Sequence, residues 1–173
     1  GGDVQNWSAI PTCSTVCRHS GMKPLIEFAW EDGADQSLGL PKYATSGAAG
    51  ADLRANLIDR SDLILHAGSR VLIGTGLRIA IAKDFEVQIR PRSGLALKYG
   101  ITLANAPGTI DSDYRGPLGI ILLNVGSDDF TVSHGDRIAQ MVVSPVLQAD
   151  FSLVDSLSPT IRGDGGFGST GEK

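Results

Sequence analysis

The stretch 101–116, ITLANAPGTIDSDYRG, holds residue types that could grip a flat polar ring and activate water beside it. Pro107-Gly108 suits the centre of a type II turn, so the chain is expected to double back there as a hairpin. The end of a hairpin offers backbone donors and acceptors, and the Asn105 carboxamide can do either, a combination that matches the edge of a pyrimidine. Beyond the bend, Asp111 falls near where an attached sugar and phosphate would lie. A carboxylate there can take a proton from water, and Tyr114 offers a flat face to the sugar. Taken without the rest of the chain, Asp111 and Asp113 read equally well as turn or capping residues.

Two further segments could meet an anion. In Arg90-Pro91-Arg92-Ser93-Gly94-Leu95, two arginines and a hydroxyl stand just before a short helical pattern over 93–99, with Ser93 the candidate N-cap. In Gly135-Asp136-Arg137-Ile138-Ala139-Gln140 a turn enters a strand. Asp136 and Arg137 are most simply a local turn pair, while Gln140 can turn its amide inward or toward a ligand. A third segment is unlike the others: residues 162–171 hold five glycines and one aromatic, Phe167. It has no core to join and roughly 1–2 kcal/mol of backbone entropy to lose per residue fixed, so it reads either as a loose tail or as a flap that orders over a ligand. Its Gly163-x4-Gly168 spacing is not a phosphate loop, because Ser169 stands where that loop needs Lys.

The elements that must position these residues are strands. The chain of 173 residues can bury one real core without staples. It carries 22 glycines and 8 prolines, about 17% against an average of roughly 12%, which favours many turns. Phe85, Val87 and Ile89 alternate with polar neighbours, as do Leu77, Ile79 and Ile81, which is the period of half-buried strands. Ile120-Ile121-Leu122-Leu123 does not alternate, so that strand is expected to be covered on both faces, one of them by a sister subunit. Residues 138–146 make a last strand, closed by Pro145.

The net charge of −4 argues against a general nucleic-acid-binding surface. It leaves room for a small phosphorylated ligand whose charge is met by a few arginines or a metal ion. No run of apolar residues is long enough to span a membrane, and no secretory signal is visible, so a cytoplasmic address is expected. Cys13 and Cys17 are too few for a disulfide framework, and with His19 they lack a fourth zinc ligand. Residues 1–21 have no period, so Met22 is expected to be the natural start and the preceding stretch an expression remnant or loose extension.

Five ordered motifs together make the chain resemble the trimeric deoxyuridine triphosphate nucleotidohydrolases (dUTPases), across nearly all of residues 23–171. They are Ala49-Gly50-Ala51-Asp52-Leu53, Pro91-Arg92-Ser93-Gly94-Leu95, residues 105–116, Gly135-Asp136-Arg137-Ile138-Ala139-Gln140, and residues 162–171. The resemblance implies an all-β, jelly-roll-like β-barrel with one short helix over residues 22–158, and a mobile C-terminal flap over 159–173. It implies a homotrimer whose active sites are shared between subunits, and hydrolysis of dUTP to dUMP and pyrophosphate. Mg²⁺ is expected on the substrate phosphates through waters, with no direct protein ligand.

Carried over residue by residue, Asp111 is the general base, and Tyr114 packs under deoxyribose and excludes a 2′-hydroxyl. Asn105 and the backbone at Gly108, Thr109 and Ile110 read uracil. Ser93, Gly94 and Gln140 bind the phosphate chain with Arg92 near it, and Asp52 is a supporting carboxylate that orients Arg92 or magnesium-bound water. Arg162, Gly168, Ser169 and Thr170 hold the γ-phosphate, while Phe167 stacks on the base. The related dCTP deaminases need a glutamate on the strand after the hairpin, where this chain has Ile121.

Overall fold

The computed structural model of the chain describes residues 23–166. The expectations placed on residues 1–21, on Met22, and on Phe167, Gly168, Ser169 and Thr170 lie outside the described residues. The alternating segments form strands. They are β1 (Ile26–Trp30), β2 (Lys42–Tyr43), β3 (Ala51–Arg54), β4 (Leu63–Leu65), β5 (Arg70–Ile81), β6 (Phe85–Arg90), β7 (Ile101–Leu103), β8 (Gly108–Ile110), β9 (Pro117–Asn124), β10 (Phe130–Val132) and β11 (Arg137–Pro145). One short helix, α1 (Ser93–Tyr99), follows β6. No described helix is long and apolar enough to cross a membrane.

Two antiparallel sheets face each other, in the orders β1-β5-β9-β7 and β2-β3-β11-β6-β8, with a β10-β4 ribbon beside them. This is the all-β, jelly-roll-like architecture expected. The inward residues of the strands make one core: Leu53, Ile73, Ile79, Val87, Ile89, Leu118, Ile120, Leu122, Ile138 and Met141 are all buried. Each such side chain contributes roughly 1.5–3 kcal/mol relative to leaving it in water. Asn124 is buried among them and fully satisfied. Its amide nitrogen donates to the carbonyls of Leu65 (3.0 Å) and Asp128 (2.8 Å), and its oxygen accepts from the Gly126 N–H at 2.9 Å.

Two expectations change. The segment around Pro107-Gly108 is not a hairpin. β7 pairs with β9 and β8 pairs with β6, so residues 104–107 carry the chain from one sheet to the other. The Ala106–Pro107 peptide is cis, and Gly108 does not have the positive φ that the centre of a type II turn requires. Second, Arg92 rather than Ser93 is the N-cap of α1: it is extended, and its carbonyl accepts from Leu95 (3.1 Å) and Ala96 (3.0 Å), which makes Ser93 the first helical residue. Within the single chain the four apolar residues of β9 alternate in burial, and the face expected to meet a sister subunit is the less covered one. Ile120 and Leu122 are sealed, whereas Ile121 and Leu123 stay half-buried on the outer face. There Ile121 lies opposite Leu72, which is 67% exposed.

After β11 the described chain forms no further strand, and Leu147, Phe151, Leu153, Leu157 and Ile161 are exposed along it. The last strand therefore ends at Pro145, close to the 138–146 expected.

Candidate active site

The residues singled out in the sequence gather in two places. The first is built on three adjacent strands, β3, β11 and β6. Asp52 on β3 lies opposite Gln140 on β11, and Gln140 lies opposite Arg90 at the end of β6. Strand register thus brings residues 52, 140 and 90–92 to one end of the sheet.

There the Asp52 carboxylate is held from both sides. Its Oδ1 accepts from Nε of Arg92 at 3.0 Å, and its Oδ2 accepts from Nη1 of Arg137 at 3.0 Å. Arg92 also donates through Nη1 to the Arg137 carbonyl at 3.1 Å. Two of the five N–H groups of Arg92 are fixed in this way, so its plane is set while others remain for an anion. Gln140 donates through Nε2 to the Pro91 carbonyl at 3.0 Å, one residue before Arg92. In the first turn of α1, the N–H groups of Ser93 and Gly94 have no helical carbonyl to bond.

Of the two arginines ahead of α1, only Arg92 joins this cluster. Arg90 is committed to its own strand: it donates to Gln88 Oε1 at 2.7 Å through Nη2, and Gln88 donates on to Glu86 at 2.7 Å. The expected Asp136–Arg137 pair does not form. Asp136 Oδ2 accepts from the Ser133 N–H at 2.9 Å, an aspartate closing its own turn, which leaves Arg137 free to reach across the sheet to Asp52. The sequence reading missed Arg137 as a member of the site. Its signal is the strand order, which the sequence does not carry.

The turn that launches Arg137 is anchored behind the site. His134 accepts at Nδ1 from the Leu57 N–H (3.1 Å), so its proton sits on Nε2, which donates to Asp35 Oδ2 at 3.2 Å. Gly135 N–H donates to the Ala55 carbonyl and Ala55 N–H to the Asp136 carbonyl, both at 2.8 Å. Asp35 is the hub of the anchor. The Ser37 hydroxyl at 2.6 Å and the Ser37 N–H at 3.0 Å donate to it, and Arg60 lies 3.0 Å away. The Ser37 bonds first, then His134 and Arg60, hold its carboxyl down at about 2 from an ordinary 3.8. His134 is thus a satisfied structural histidine, as is His66, whose Nδ1 lies 2.8 Å from Asp129.

The second place is a cleft of about 190 Å³ where the two sheets meet at the 104–107 crossing. Asn105, Gly108, Thr109, Ile110, Asp111 and Tyr114 line it, over an apolar floor that includes Ile89, Leu103 and Ile121. Gly108 sits against Ile89 in the β6–β8 pairing. A side chain there would meet the Asn105 amide at 3.1 Å and Ile89 Cβ at 3.4 Å, so the backbone itself forms the wall. Asp111 is exposed at the rim, and its carbonyl accepts from the Tyr114 N–H at 3.1 Å, closing the turn that brings both to the same opening. Tyr114 folds back and donates its hydroxyl to the Pro117 carbonyl at 2.8 Å. Gly116 makes this possible, because a Cβ at that position would overlap the Tyr114 hydroxyl and ring. Arg115 ties the loop down through the Ser112 carbonyl at 2.7 Å, and Arg78 does so through the Arg115 carbonyl at 2.9 Å.

Chemically, the cleft offers a ring-sized slot with polar edges and a carboxylate at its mouth. The three-strand cluster offers cationic and amide donors for an extended anion. Asp111 lines the cleft, while Asp52 and Arg137 line a separate hollow on the far side of β3. Arg162 lies in the chain after β11, where its Nε donates to the Gly165 carbonyl at 2.8 Å; within one chain it is not brought to either place.

Comparison with known proteins gives the family and the fold. The dUTPase family model matches residues 36–171. The chain is 63% identical over 146 residues to a deoxyuridine 5′-triphosphate nucleotidohydrolase of Roseobacter denitrificans, covering 84% of this chain and 95% of that protein. It is 58% identical over 153 residues to the protein of the same name from Dinoroseobacter shibae, covering 87% and 99%. Its fold is similar to the solved structure of the Staphylococcus bacteriophage 80alpha dUTPase with dUpNHpp. The TM-score is 0.73 at 21% identity, over 85% of this chain and 98% of that one.

Proposed function

The chain belongs to the dUTPase family, and from that premise we propose how its residues divide the work. The reaction is hydrolysis of dUTP to dUMP and pyrophosphate, which keeps uracil out of DNA and supplies dUMP for thymidylate synthesis. Uracil enters the cleft at the sheet crossing, where the Asn105 amide and the backbone at Gly108, Thr109 and Ile110 meet its polar edge. A close fit against the apolar floor is what would reject a 5-methyl group. Deoxyribose lies against Tyr114, whose ring stands where a 2′-hydroxyl would project.

Asp111, at the mouth of the same cleft, takes a proton from a water aimed at the α-phosphorus. The new P–O bond forms from that water as the bond to the α,β-bridging oxygen breaks, and pyrophosphate leaves with the electron pair. The observation that carries this reading is that Asp111 and Tyr114 share one cleft with Asn105 and Gly108. Positioning and electrostatics dominate such a reaction.

The triphosphate lies along the arginine-bearing strand ends. Arg92 contacts it, its plane set by Asp52; Ser93, Gly94 and Gln140 supply neutral donors. Both oxygens of Asp52 are taken by arginines. We read Mg²⁺ as carried on the phosphates and reached through waters, with Asp52 acting through its arginines. When bound, the ion neutralises charge on the phosphate oxygens. Arg162, Gly168, Ser169 and Thr170 close over the γ-phosphate, with Phe167 stacked on uracil; the family match runs through this segment to residue 171.

We further propose a homotrimer with sites shared between subunits, acting in the cytoplasm where its substrate is made. The separation of the Asp111 cleft from the Asp52–Arg137 cluster within one chain supports this, as do the apolar Leu72–Ile121 surface and the exposed side chains after β11. Pyrophosphate release from dUTP, dTTP, dCTP and UTP in the presence of Mg²⁺, with sedimentation on the same sample, tests the reading. Selective release from dUTP by a trimer is expected. Equal rates on dTTP or UTP would overturn the assignment of the cleft.

A further inference from the structure

We infer that Gly50 is a positioning residue of the phosphate grip: having no side chain, it leaves the space in which the Gln140 carboxamide takes its working orientation. The inference rests on the reading of Gln140 as a phosphate ligand.

Gly50 stands immediately before β3, two residues ahead of Asp52, while Gln140 lies on the adjacent strand opposite Asp52. Chemistry fixes which way the amide faces. The Pro91 carbonyl can only accept, so the atom 3.0 Å from it is the Gln140 nitrogen. The amide oxygen then faces the other way, onto Gly50. A Cβ at position 50 would overlap that oxygen and lie 3.1 Å from Cδ and 3.4 Å from Cβ of Gln140. The backbone of Gly50 is not in the left-handed region, so nothing in its φ demands glycine. Space alone does.

The obstacle is the far end of a flexible side chain, so the barrel can absorb a methyl group by turning Gln140 aside. The cost then falls on the amide. Its bond to Pro91 breaks, and the free N–H that Gln140 presents to a phosphate changes direction. Pro91 immediately precedes Arg92 and Ser93, so two ligands of the same anion lose a shared tether. Gly50 therefore acts on the substrate only through Gln140, and its contribution should vanish once Gln140 is gone.

The test is steady-state kinetics and thermal melting of the trimer for Gly50→Ala, Gln140→Ala and the double variant with dUTP. Gly50→Ala is expected to raise KM for dUTP about tenfold, the scale of one hydrogen bond to a charged group, with kcat within about threefold. The double variant should be no worse than Gln140→Ala, the signature of a coupled pair. An unchanged KM in Gly50→Ala, or losses that multiply in the double variant, would overturn the inference. A collapse of Tm in Gly50→Ala that Gln140→Ala restores supports it, and one that persists in the double variant sinks it. If Gln140→Ala leaves KM untouched while dUTP is still hydrolysed, the phosphate role of Gln140 fails, and the role of Gly50 fails with it.

Discussion

The Nε–H of Arg92 donates to Oδ1 of Asp52 at 3.0 Å, a bond that spans β11 to join the end of β6 to β3. Both side chains are about three-quarters buried, at 25% and 24% exposure, so the pair is not a solvent-screened surface contact. Asp52→Asn keeps the shape but loses one acceptor, releasing Arg92 or Arg137. KM for dUTP should rise roughly tenfold with a smaller change in kcat, by the strength of a charge-assisted hydrogen bond. Initial-rate kinetics alongside Tm decide the matter: a drop in Tm with unchanged KM would make Asp52 a purely structural carboxylate.

Asp111 lies exposed at the mouth of the cleft proposed to hold uracil, with the turn to Tyr114 closing behind it. Asp111→Asn should bind a non-hydrolysable dUTP analogue nearly normally, while kcat falls by about 10²–10⁴, the usual worth of general-base assistance. Calorimetric binding plus single-turnover rates separate the two quantities. Turnover near that of the parent would remove Asp111 from the reaction.

Gly116 gives the Tyr114 ring room to fold back onto the Pro117 carbonyl. In Gly116→Ala the ring must swing away from the sugar position. The ratio of kcat/KM for UTP to that for dUTP should then rise at least about tenfold, the scale on which a displaced steric wall changes selectivity. If Gly116→Ala remains as blind to UTP as the parent, Tyr114 is not the sugar gate.

Leu72 is 67% exposed and faces Ile121 across the β5–β9 pairing. Leu72→Glu places a charge in what would be a dry contact between copies, where an unpaired charge is costly. Sedimentation should show dissociation to smaller species, with loss of dUTP hydrolysis as the proposed sharing of sites between subunits requires. A trimer of normal activity would move the contact surface elsewhere.

Asp35 sets an acid limit. Its carboxyl is depressed to about 2 from 3.8, chiefly by the Ser37 hydroxyl and N–H and then by His134 and Arg60. A depressed carboxylate contributes stability that is fully present above the unfolded value of 3.8 and is lost as pH falls through the folded value of about 2. Urea midpoints should therefore fall between about pH 4 and 2 in the parent. They should fall less steeply there in Asp35→Asn, which starts lower at neutral pH.

Strands with strict alternation, such as Phe85-Val87-Ile89, were legible because burial on one face imposes the period directly. The candidate site residues were read from five ordered motifs taken together; one by one, their local signals read as readily as turns and strand ends. What the sequence could not carry was which strand lies beside which. The order β3-β11-β6 puts Arg137 against Asp52, whereas neighbour-to-neighbour reasoning paired it with Asp136. Pro107-Gly108 misled for a related reason. The local preference for a type II bend gave way to a tertiary demand that β7 and β8 serve different sheets. Ser93 lost the capping position because Arg92, drawn toward Asp52, ends the extended run one residue earlier than a serine-led helix would.

The proposed polyanion grip stands on rungs of hydrogen-bonded backbone, whereas the proposed ring slot is cut into a crossover between layers. Redesigning that crossover to admit a larger or differently substituted heterocycle would leave the rungs where they are. With the roles divided as proposed, the scaffold is modular in a specific sense: its taste for a nucleobase would be rewritten by editing a handful of connector residues, while its hold on three linked phosphates would be inherited unaltered.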